Sequence, residues 1–381
     1  MSRTETFERG IHPQYHKELT AERSTVQAAL PKRVLIPLSQ HIGAPAAAIV
    51  AIGDEVRTGQ LIGESAGFVS SPVHSSVSGK VIAIADFPLS SGKQGPCIVI
   101  ESDGQDTYSD FQEHPDYMNL DPEKIKEIVK NAGIVGLGGA AFPTGVKLSP
   151  PKEKLIDAII INGAECEPYL TADHRLMVEK PAEIVEGLKL LMKTLGVSEG
   201  YIGIEENKPD AIAAMEKAVS GQPIEVHALE VKYPQGAEKM LIKAIKDREV
   251  PARGLPMDVG IVVQNVGTAL AVYEAVRYGK PLIERVVTIT GDGIKEPGNM
   301  MVRVGTLISD VISQCGGLKE GAVKVIAGGP MMGFAQWTLD VPVVKGTSGI
   351  LVMSSDEYVS SESYSPCIRC GRCIDVCPMG L

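Results

Sequence analysis

An alternation of apolar strands and amphipathic helices between residues 157 and 278 is the feature that most restricts the fold of this chain. Strands are predicted at "DAIIIN", "YIGIE", "IEVHALEV" and "DVGIVVQN". Helical stretches follow them at residues 182–195, 210–219, 237–245 and 268–278. Strands and helices that alternate in this way form βαβ units around a parallel sheet. The region therefore predicts a central α/β domain with a Rossmann-like sheet, preceded by a helix that begins at Asp121-Pro122.

The regions on both sides of this layer are predicted to be rich in β-strands. Residues 34–101 consist of short apolar pieces separated by glycines, and "VAIGDEVRTGQLIGE" and "VHSSVSGKVIAIAD" look alike, which predicts a small all-β sandwich. It resembles the barrel-sandwich hybrid of biotinyl and lipoyl carrier domains. Those carriers have a modified lysine at a hairpin tip, but "SSPVHSSVSG" has no lysine before Lys80, so a structural role is favoured over a carrier role.

From Glu284 onward the pattern indicates strand, turn, strand, a short helix around residues 307–313 and another strand. The chain is thus predicted to be a multidomain α/β protein. The predicted divisions are an N-terminal segment (1–33), the sandwich (34–105), the α/β domain (118–280), the β-rich domain (284–353) and a cysteine-bearing segment (360–381).

Composition limits the class of function. The chain has 381 residues, 44% of them hydrophobic, and a net charge of −10 without a long Lys/Arg cluster, which argues against nucleic acid as the main ligand. We find no apolar run that resembles a signal peptide or a membrane span, so membrane association is expected only through a partner. Four of the seven cysteines lie in the last fifteen residues, a distribution typical of a metal site in a reducing cytoplasmic compartment.

The stretch "GIVGLGGAAFPTGVKL" contains a glycine loop. Gly136, Gly138 and Ala141 fit the loose dinucleotide fingerprint G-x-G-x-x-G/A. A Rossmann fingerprint must follow a strand, whereas this loop follows a predicted helix that ends near Ala132, so the ordinary Rossmann interpretation fails. Two interpretations stay open from the loop alone. It forms either an anion-binding nest assisted by Lys147, or a glycine-rich helix terminus without a ligand.

Polar side chains follow two of the predicted strands. Asn162, Glu165 and Glu167 come directly after "DAIIIN", and Asn265 and Thr268 come after "DVGIVV". Ligands of open α/β sheets bind at the carboxyl ends of strands, and carboxylates and amides suit the hydroxyl groups of ribose or ribityl chains. Two glutamates in one turn are also typical of a solvated acidic loop. The repeated placement nevertheless favours one shared crevice.

Several motifs resemble those of the flavin-bearing subunit of respiratory complex I and, more closely, those of the C subunit of the Rnf electron-transport complex. They are "GLGGAAFPTGVK", "NGAECEP", "YPQGAEKML" and "QNVGT". The resemblance extends over nearly the whole chain and includes "IPLSQHIGAPA", "SSVSGKV" and "GGPMMG", the last in a unit that looks like a β-grasp soluble-ligand-binding (SLBB-type) domain.

The resemblance implies that the glycine loop and its lysine hold FMN and that NADH stacks over the flavin. The residues that it implicates in flavin binding are Gly136, Gly138, Gly139, Ala140, Phe142, Lys147, Asn162, Glu165, Asn265 and Thr268. It places Glu167 and Glu238 nearer to the nicotinamide nucleotide. No side chain is expected to act as a catalytic acid or base.

Two positions depart from the family pattern. Leu137 stands where complex I usually has an arginine, and the family's common G-A-G-F reads Ala140-Ala141-Phe142 here. If position 141 requires a positive φ, an alanine there is strained, and we expect flavin affinity to be the property most affected.

The segment "CIRCGRCIDVCP" has the spacing C-x2-C-x2-C-x3-C-P of bacterial ferredoxins, which predicts Cys367, Cys370, Cys373 and Cys377 as 4Fe–4S ligands. Structural zinc suits two separated pairs better than this tight run. In two-cluster ferredoxins a second cysteine run completes the clusters, so we expect this sequence to be C-terminally shortened and neither of its two clusters to assemble normally. The other cysteines, Cys97, Cys166 and Cys315, are interpreted as small buried residues.

By resemblance, the chain is expected to be the electron-input subunit of an Rnf-type complex. It would take a hydride from NADH, or return it to NAD, through FMN and pass single electrons to 4Fe–4S clusters. Its expected partners are the membrane subunits and the ferredoxin-interacting iron–sulfur subunit of a complex that couples electron transfer to ion transport, on the cytoplasmic side of the membrane. The alternatives are a soluble NADH-dependent flavin and iron–sulfur reductase of the cobalamin-reductase type, and a non-catalytic docking scaffold.

Overall fold

The N-terminal segment runs along the rest of the molecule as an extended strap. The computed structural model of the chain describes residues 4–358 and 365–380, and the strap comprises residues 4–25. The strap forms isolated bridges from Glu5 to Leu229 and from Ile11 to Tyr233. It leads into strand β1 (Val26–Gln27).

The barrel unit is an all-β sandwich, as the sequence predicts. Its strands are β2 (Arg33–Pro37), β3 (Ala47–Ala48), β4 (Glu55–Val56), β5 (Leu61–Glu64), β6 (Val73–His74), β7 (Gly79–Pro88) and β8 (Gln94–Ser102). They form two antiparallel sheets, β2-β8-β7-β4 and β3-β5-β6. Valine and isoleucine side chains from both sheets, among them Ile36 and Ile62, fill one core. Gly79 has a φ of +152°, and a Cβ there would lie 2.0 Å from the Glu101 carbonyl oxygen, so only glycine fits.

Alternating strands and helices build the central unit, and the predicted order is confirmed. The elements are α1 (Pro122–Asn131), α2 (Thr144–Lys147), β9 (Ala158–Gly163), α3 (Ala172–Glu179), α4 (Pro181–Leu195), β10 (Glu199–Glu205), α5 (Pro209–Ala218), β11 (Ile224–Leu229), α6 (Glu238–Lys246), β12 (Ile261–Asn265) and α7 (Val266–Tyr278). Short 3-10 turns lie at Tyr117–Asn119 and Pro256–Val259. Pro122 occupies the first turn of α1 after Asp121, as expected.

The order of the parallel strands positions the candidate crevice. The sheet has the order β11-β10-β9-β12, and all its pairings are parallel. The chain moves outward from β9 to β11 and then returns to the opposite side of β9. Ligands of open α/β sheets bind where the strand order reverses in this way. At this reversal Asn162 on β9 is paired with Asn265 on β12, so the polar residues of the two strand ends lie side by side.

The third unit is a mixed sheet with one helix. Its elements are β13 (Glu284–Thr290), β14 (Gly298–Arg303), α8 (Ile308–Gln314), β15 (Ala322–Ala327), β16 (Phe334–Ala335) and β17 (Gly349–Ser354). The sheet order is β1-β14-β13-β17-β15-β16, so the end of the N-terminal strap provides its first strand. The predicted short helix is confirmed, and Ile308 and Val311 on α8 pack into the core of this unit.

The cysteine-bearing segment lies against the strap. Its helix is α9 (Arg372–Val376). The Gly10 amide donates to the Val376 carbonyl over 2.9 Å, and the Arg9 guanidinium donates to the Cys377 carbonyl over 3.1 Å. Within residues 4–358 and 365–380, no helix combines the length and apolar character needed to cross a bilayer.

Candidate flavin site

The glycine loop joins α1 to α2 and folds back on itself. Val135 and Pro143 form an isolated antiparallel bridge, and the Gly136 amide donates to the Phe142 carbonyl over 2.9 Å. Between these points Gly138, Gly139 and Ala140 are exposed. The loop therefore exposes three consecutive residues at the surface, and an anion-binding nest would need their backbone N–H groups to converge on the anion.

Thr268 on α7 anchors this loop from below. Its hydroxyl accepts from the Leu137 amide over 3.0 Å and donates to the Val135 carbonyl over 3.2 Å. The side chain is fully buried. The structure thus places Thr268 beneath the glycine loop, where it sets the loop's position through two hydrogen bonds.

Asn265 and Gly138 lie in direct contact. A Cβ on Gly138 would be 2.6 Å from the Asn265 Nδ2 atom, so a larger residue has no room there. Asn265 also begins α7, because its Oδ1 accepts from the Gly267 amide over 2.8 Å. The end of β12 therefore meets the glycine loop, as expected for one shared crevice.

Ala141 has a φ of +53°, in the left-handed region. The residue is buried, and only glycine adopts this backbone conformation without a steric cost from its Cβ atom. Strain at position 141 was expected only if its φ is positive, and the structure shows that it is.

Lys147 forms an ion pair with Glu238 at the crevice. Its ammonium donates to the Glu238 carboxylate over 2.5 Å and to the Val263 carbonyl over 3.0 Å. Both side chains are partly exposed, at 21% for Lys147 and 39% for Glu238. A positive charge from α2 is thereby held beside the end of β12 and the first turn of α6.

Asn162 and Glu165 stabilise the backbone around the end of β9. The side-chain amide of Asn162 donates from Nδ2 to the Gly236 carbonyl over 2.8 Å. The Glu165 carboxylate accepts from the amides of Asp173 and His174 over 2.8 and 3.2 Å, so it caps the amino end of α3. Glu165 itself has a φ of +48°.

Glu167 points away from Glu165 and contacts the third unit. Its carboxylate accepts from the backbone amides of Met331 and Met332 over 2.7 and 3.0 Å. Burial raises the pKa of Glu167, while these two amide donors oppose the rise. The two glutamates of one turn thus have separate partners and do not form a solvated acidic loop.

The buried ammonium of Lys17 holds the turn that carries both glutamates. It donates to the carbonyls of Glu165, Glu167 and Leu170 over 2.8, 3.1 and 2.5 Å. Burial lowers the pKa of Lys17 to about 8. The N-terminal strap therefore contributes a residue that shapes the crevice wall.

Sequence reasoning missed several polar residues near the crevice, namely Lys17, Asp173, Gln235, Gln264 and Arg285. All are buried. Asp173 could have been noticed because it follows the acidic turn of Glu165 and Glu167 closely in the sequence. Arg285 gives no such signal, because it contacts Leu137 from 148 positions away in the chain.

The four cysteines of the ferredoxin-type run are not gathered into one site. Cys367, Cys370 and Cys373 are exposed, and Cys377 is partly buried. Among the residues that the structure describes, no three or more His, Cys, Asp or Glu side chains form a group suited to a metal ion.

Cys97 and Cys315 are buried, in agreement with their interpretation as small buried residues, whereas Cys166 is only partly buried. Burial raises the thiol pKa of Cys97 and Cys166 to about 12 and that of Cys315 to about 11. Cys166 also accepts from the Gly236 amide over 3.2 Å.

Comparison with protein families assigns the three units. The model described as the Nuo51 FMN-binding domain matches residues 129–274, the RnfC barrel-sandwich hybrid domain matches residues 5–105, and the SLBB domain matches residues 286–335. These matches confirm the predicted barrel-sandwich, flavin-type and SLBB domains. The fold and crevice thus define a protein of the class that carries a Nuo51-type FMN-binding domain.

Comparison with individual proteins narrows the class to a family. The chain is 51% identical, over 99% of its length and 82% of the relative's, to the C subunit of the proton-translocating ferredoxin:NAD(+) oxidoreductase complex of Clostridium ljungdahlii. It is 52% identical, over 99% of its length and 85% of the relative's, to the Na(+)-translocating counterpart of Acetobacterium woodii. The chain belongs to the family of Rnf-type complex C subunits, so the resemblance inferred from the sequence is confirmed.

A solved structure shares the fold. An NAD+-reducing NiFe hydrogenase matches with a TM-score of 0.55 at 21% identity, over 64% of this chain and 49% of the hydrogenase chain. At this identity the match supports the fold alone.

Proposed function

We propose that this chain is the electron-transfer subunit of an Rnf-type complex and that its crevice binds FMN with NAD(H) over it. The relatives at 51% and 52% identity are named as subunits of ferredoxin:NAD(+) oxidoreductase complexes, and the FMN-binding domain model covers the crevice. The chain would exchange a hydride with NAD(H) and electrons with the rest of the complex.

The observation that carries this proposal is the meeting of the glycine loop with two strand ends. Gly138 touches Asn265 at the end of β12, and Asn265 is paired with Asn162 at the end of β9. Lys147 supplies a positive charge at the same place, held by Glu238. A nest of backbone amides beside one ammonium suits a phosphate, and flanking amide side chains suit ribityl hydroxyls.

Unpaired buried groups next to these residues fit a bound flavin. The amides of Gln235 and Gln264 are almost completely buried, and neither has a hydrogen-bond partner among the described residues. Gln264 precedes Asn265, and Gln235 precedes Gly236, whose carbonyl bonds Asn162. Buried amides normally have partners, so these two side chains are candidates for hydrogen bonds to a polar ligand.

The roles of the chain's residues follow from their positions. We assign phosphate binding to the exposed loop amides of Gly138 and Gly139 with Lys147, and contacts with the ribityl chain to Asn162 and Asn265. Thr268 and Glu165 hold the loop and α3 in place through their backbone hydrogen bonds.

The remaining predicted residues complete the assignment. We propose that Gly136, Ala140 and Phe142 shape the loop and that Glu167 and Glu238 lie nearer to the nicotinamide nucleotide. Bound FMN would supply the chemistry that converts a two-electron hydride exchange into single-electron steps.

The iron–sulfur ligands, the sheet type and the partner subunits are proposed from the sequence pattern and from the family. We propose Cys367, Cys370, Cys373 and Cys377 as 4Fe–4S ligands of a ferredoxin-like segment because of their spacing. Because the structure does not gather these cysteines, we assign no electron-transfer step to them. We also propose that the central sheet is Rossmann-like. The proposed partners are the membrane and iron–sulfur subunits of the complex, on the cytoplasmic side of the membrane.

Titration of the full chain with FMN tests the proposal. Quenching of flavin fluorescence gives the dissociation constant for the wild type, for Lys147→Ala and for the control Lys152→Ala, whose lysine is exposed outside the crevice. Loss of a charge-assisted hydrogen bond costs roughly 1.5–3 kcal/mol, so Lys147→Ala is expected to weaken FMN binding by about tenfold to a hundredfold. Equal affinities of all three proteins, or no binding of FMN by the wild type, would contradict the proposal.

A further inference from the structure

Asp173 lies directly behind the flavin crevice. It lies in the first turn of α3 and is only 8% exposed. Its carboxylate accepts a hydrogen bond from the side-chain amide of Asn265 over 2.6 Å. The opposite end of the Asn265 side chain is held by the Gly267 amide. Asp173 therefore fixes the orientation of the side chain that touches Gly138.

Arg285 reaches the same place from the third unit. It lies on β13, is 5% exposed, and donates to the Leu137 carbonyl over 3.1 Å and to the Lys345 carbonyl over 2.5 Å. Leu137 stands between the first two glycines of the loop. A residue of the third unit thus holds the loop proposed to bind the flavin phosphate.

The charge of each of these two side chains affects the pKa of the other. Burial lowers the pKa of Arg285 to about 10, and the negative charges of Asp173 and Glu165 oppose this change. Burial and the charge of Glu165 raise the pKa of Asp173, whereas Asn265, Arg285 and Lys17 lower it. The opposite charges of Asp173 and Arg285 thus favour the ionised form of each side chain against the effect of burial.

A small cavity adjoins both Asp173 and Arg285. It measures about 30 Å³, and Leu137, Asp173, Gly267 and Arg285 are among its lining residues. This volume holds a water molecule but is far too small for a flavin, since ligand pockets measure roughly 300–1,000 Å³. The hydrogen bonds of Asp173 and Arg285 lead to Asn265 and to the Leu137 carbonyl, so the two residues act on the loop through these groups.

We propose that Asp173 and Arg285 are positioning residues of the flavin site, through which the third unit fixes the glycine loop and Asn265 for FMN binding. This inference rests on the proposed FMN function. It gives the third unit a direct part in cofactor binding: Arg285 holds the backbone of the loop, and Asp173 holds the side chain packed against it.

A double-mutant cycle on the full chain tests this inference. FMN dissociation constants are measured by fluorescence quenching for Asp173→Asn, Arg285→Gln and the double variant. Asp173→Asn removes the charged acceptor of the Asn265 side chain, and Arg285→Gln removes the guanidinium donor to the Leu137 carbonyl, so we expect each to weaken binding by about tenfold or more. Both substitutions act on the same loop, so the double variant is expected to weaken binding by less than the product of the two. Asp210→Asn is the matched control, because Asp210 pairs with His174, the next residue of α3, over 2.7 Å.

Arg285→Lys separates positioning from general stability. A lysine keeps the positive charge but cannot place two donors in the fixed planar arrangement of a guanidinium, so its FMN affinity is expected to lie between those of the wild type and Arg285→Gln. If a single charge-removing variant does not fold, as judged by circular dichroism, the double variant and Arg285→Lys decide the question, because neither removes only one of the two opposite charges.

The outcomes distinguish the inference from the function on which it rests. If the wild type binds no FMN, the proposed function fails. If the wild type binds FMN and the folded variants bind it with affinities within about twofold of the wild type, the inference alone fails. Purely multiplicative effects in the double variant would also overturn it, because Asp173 and Arg285 would then act independently.

Discussion

Ala141 shows how one residue can carry strain at a candidate site. It adopts a left-handed backbone conformation with a φ of +53°, next to the exposed glycines of the loop. For a residue with a Cβ, this conformation costs roughly 1–2 kcal/mol relative to the right-handed one. Strained residues persist where the surrounding structure requires their conformation, and here the bridge between Val135 and Pro143 encloses the loop.

Replacement of Ala141 by glycine is expected to relieve this strain. Glycine removes the Cβ cost but adds roughly 0.5–1 kcal/mol of unfolded-chain entropy, so Ala141→Gly should leave the free energy of unfolding unchanged or raise it by up to about 1.5 kcal/mol. Ala140→Gly, one position earlier and without a positive φ, serves as the control and should lower it by roughly 0.5–1 kcal/mol. Urea unfolding of both variants gives the comparison. Equal losses in the two variants would show that Ala141 is not strained.

At the residue scale, motifs and strand ends singled out polar residues in the sequence without showing which of them touch each other. Asn265, Lys147 and Glu238 were all expected at the crevice, and the structure brings Lys147 and Glu238 into contact and seats Asn265 against the loop. The contact of Glu167 with Met331 and the contact of Arg285 with Leu137 join distant parts of the chain. No local pattern encodes such pairings, because they depend on how the units dock.

At the scale of elements, the order of helix and loop was the most informative signal. The glycine loop follows α1, as predicted, and it leads into α2, a single turn of helix. This order excludes the ordinary dinucleotide arrangement, in which a strand precedes the loop. The reversal of strand order at β9 then explains why two separate polar segments meet beside the loop.

Helix α3 shows what periodicity cannot reveal. Six of its eight residues are buried, charged ones included, so no polar face alternates with an apolar one. The pattern that identifies surface helices is absent when a helix is enclosed on all sides. Its charged residues instead have individual hydrogen-bond partners: His174 bonds Asp210, and Arg175 bonds Glu179.

For the whole molecule, Lys345 links the three units. Its ammonium is buried and donates to the Pro72 carbonyl of the barrel unit over 2.8 Å and to the Gly133 carbonyl of the central unit over 2.6 Å. The residue itself belongs to the third unit, just before β17. Burial lowers the pKa of Lys345 to about 7, because water no longer stabilises its charge.

This pKa predicts a pH dependence of stability. Below about pH 7, Lys345 is protonated in both the folded and the unfolded chain, and the cost of burying its charge is full. Between the folded value and the unfolded value of about 10.5 the unfolded chain binds more protons, so stability rises with pH. Relative to Lys345→Met, the wild type should therefore gain roughly 1 kcal/mol of unfolding free energy per pH unit in this window.

Urea unfolding at a series of pH values measures the difference between the two proteins. Lys80→Met, which replaces an exposed lysine of the barrel unit, is the control and should follow the wild type at every pH. Parallel pH profiles for the wild type and Lys345→Met would show that the buried lysine does not titrate in this range.

The visible spectrum of the FMN-loaded full chain, recorded without oxygen before and after addition of NADH, tests the central claim most directly. If the crevice aligns nicotinamide and flavin, the flavin absorption band bleaches in step with NADH oxidation, one NADH for each FMN. The same addition to a loaded Lys147→Ala chain reports on the residual bound flavin. A wild-type chain that retains FMN but shows no bleaching on addition of NADH would contradict the account.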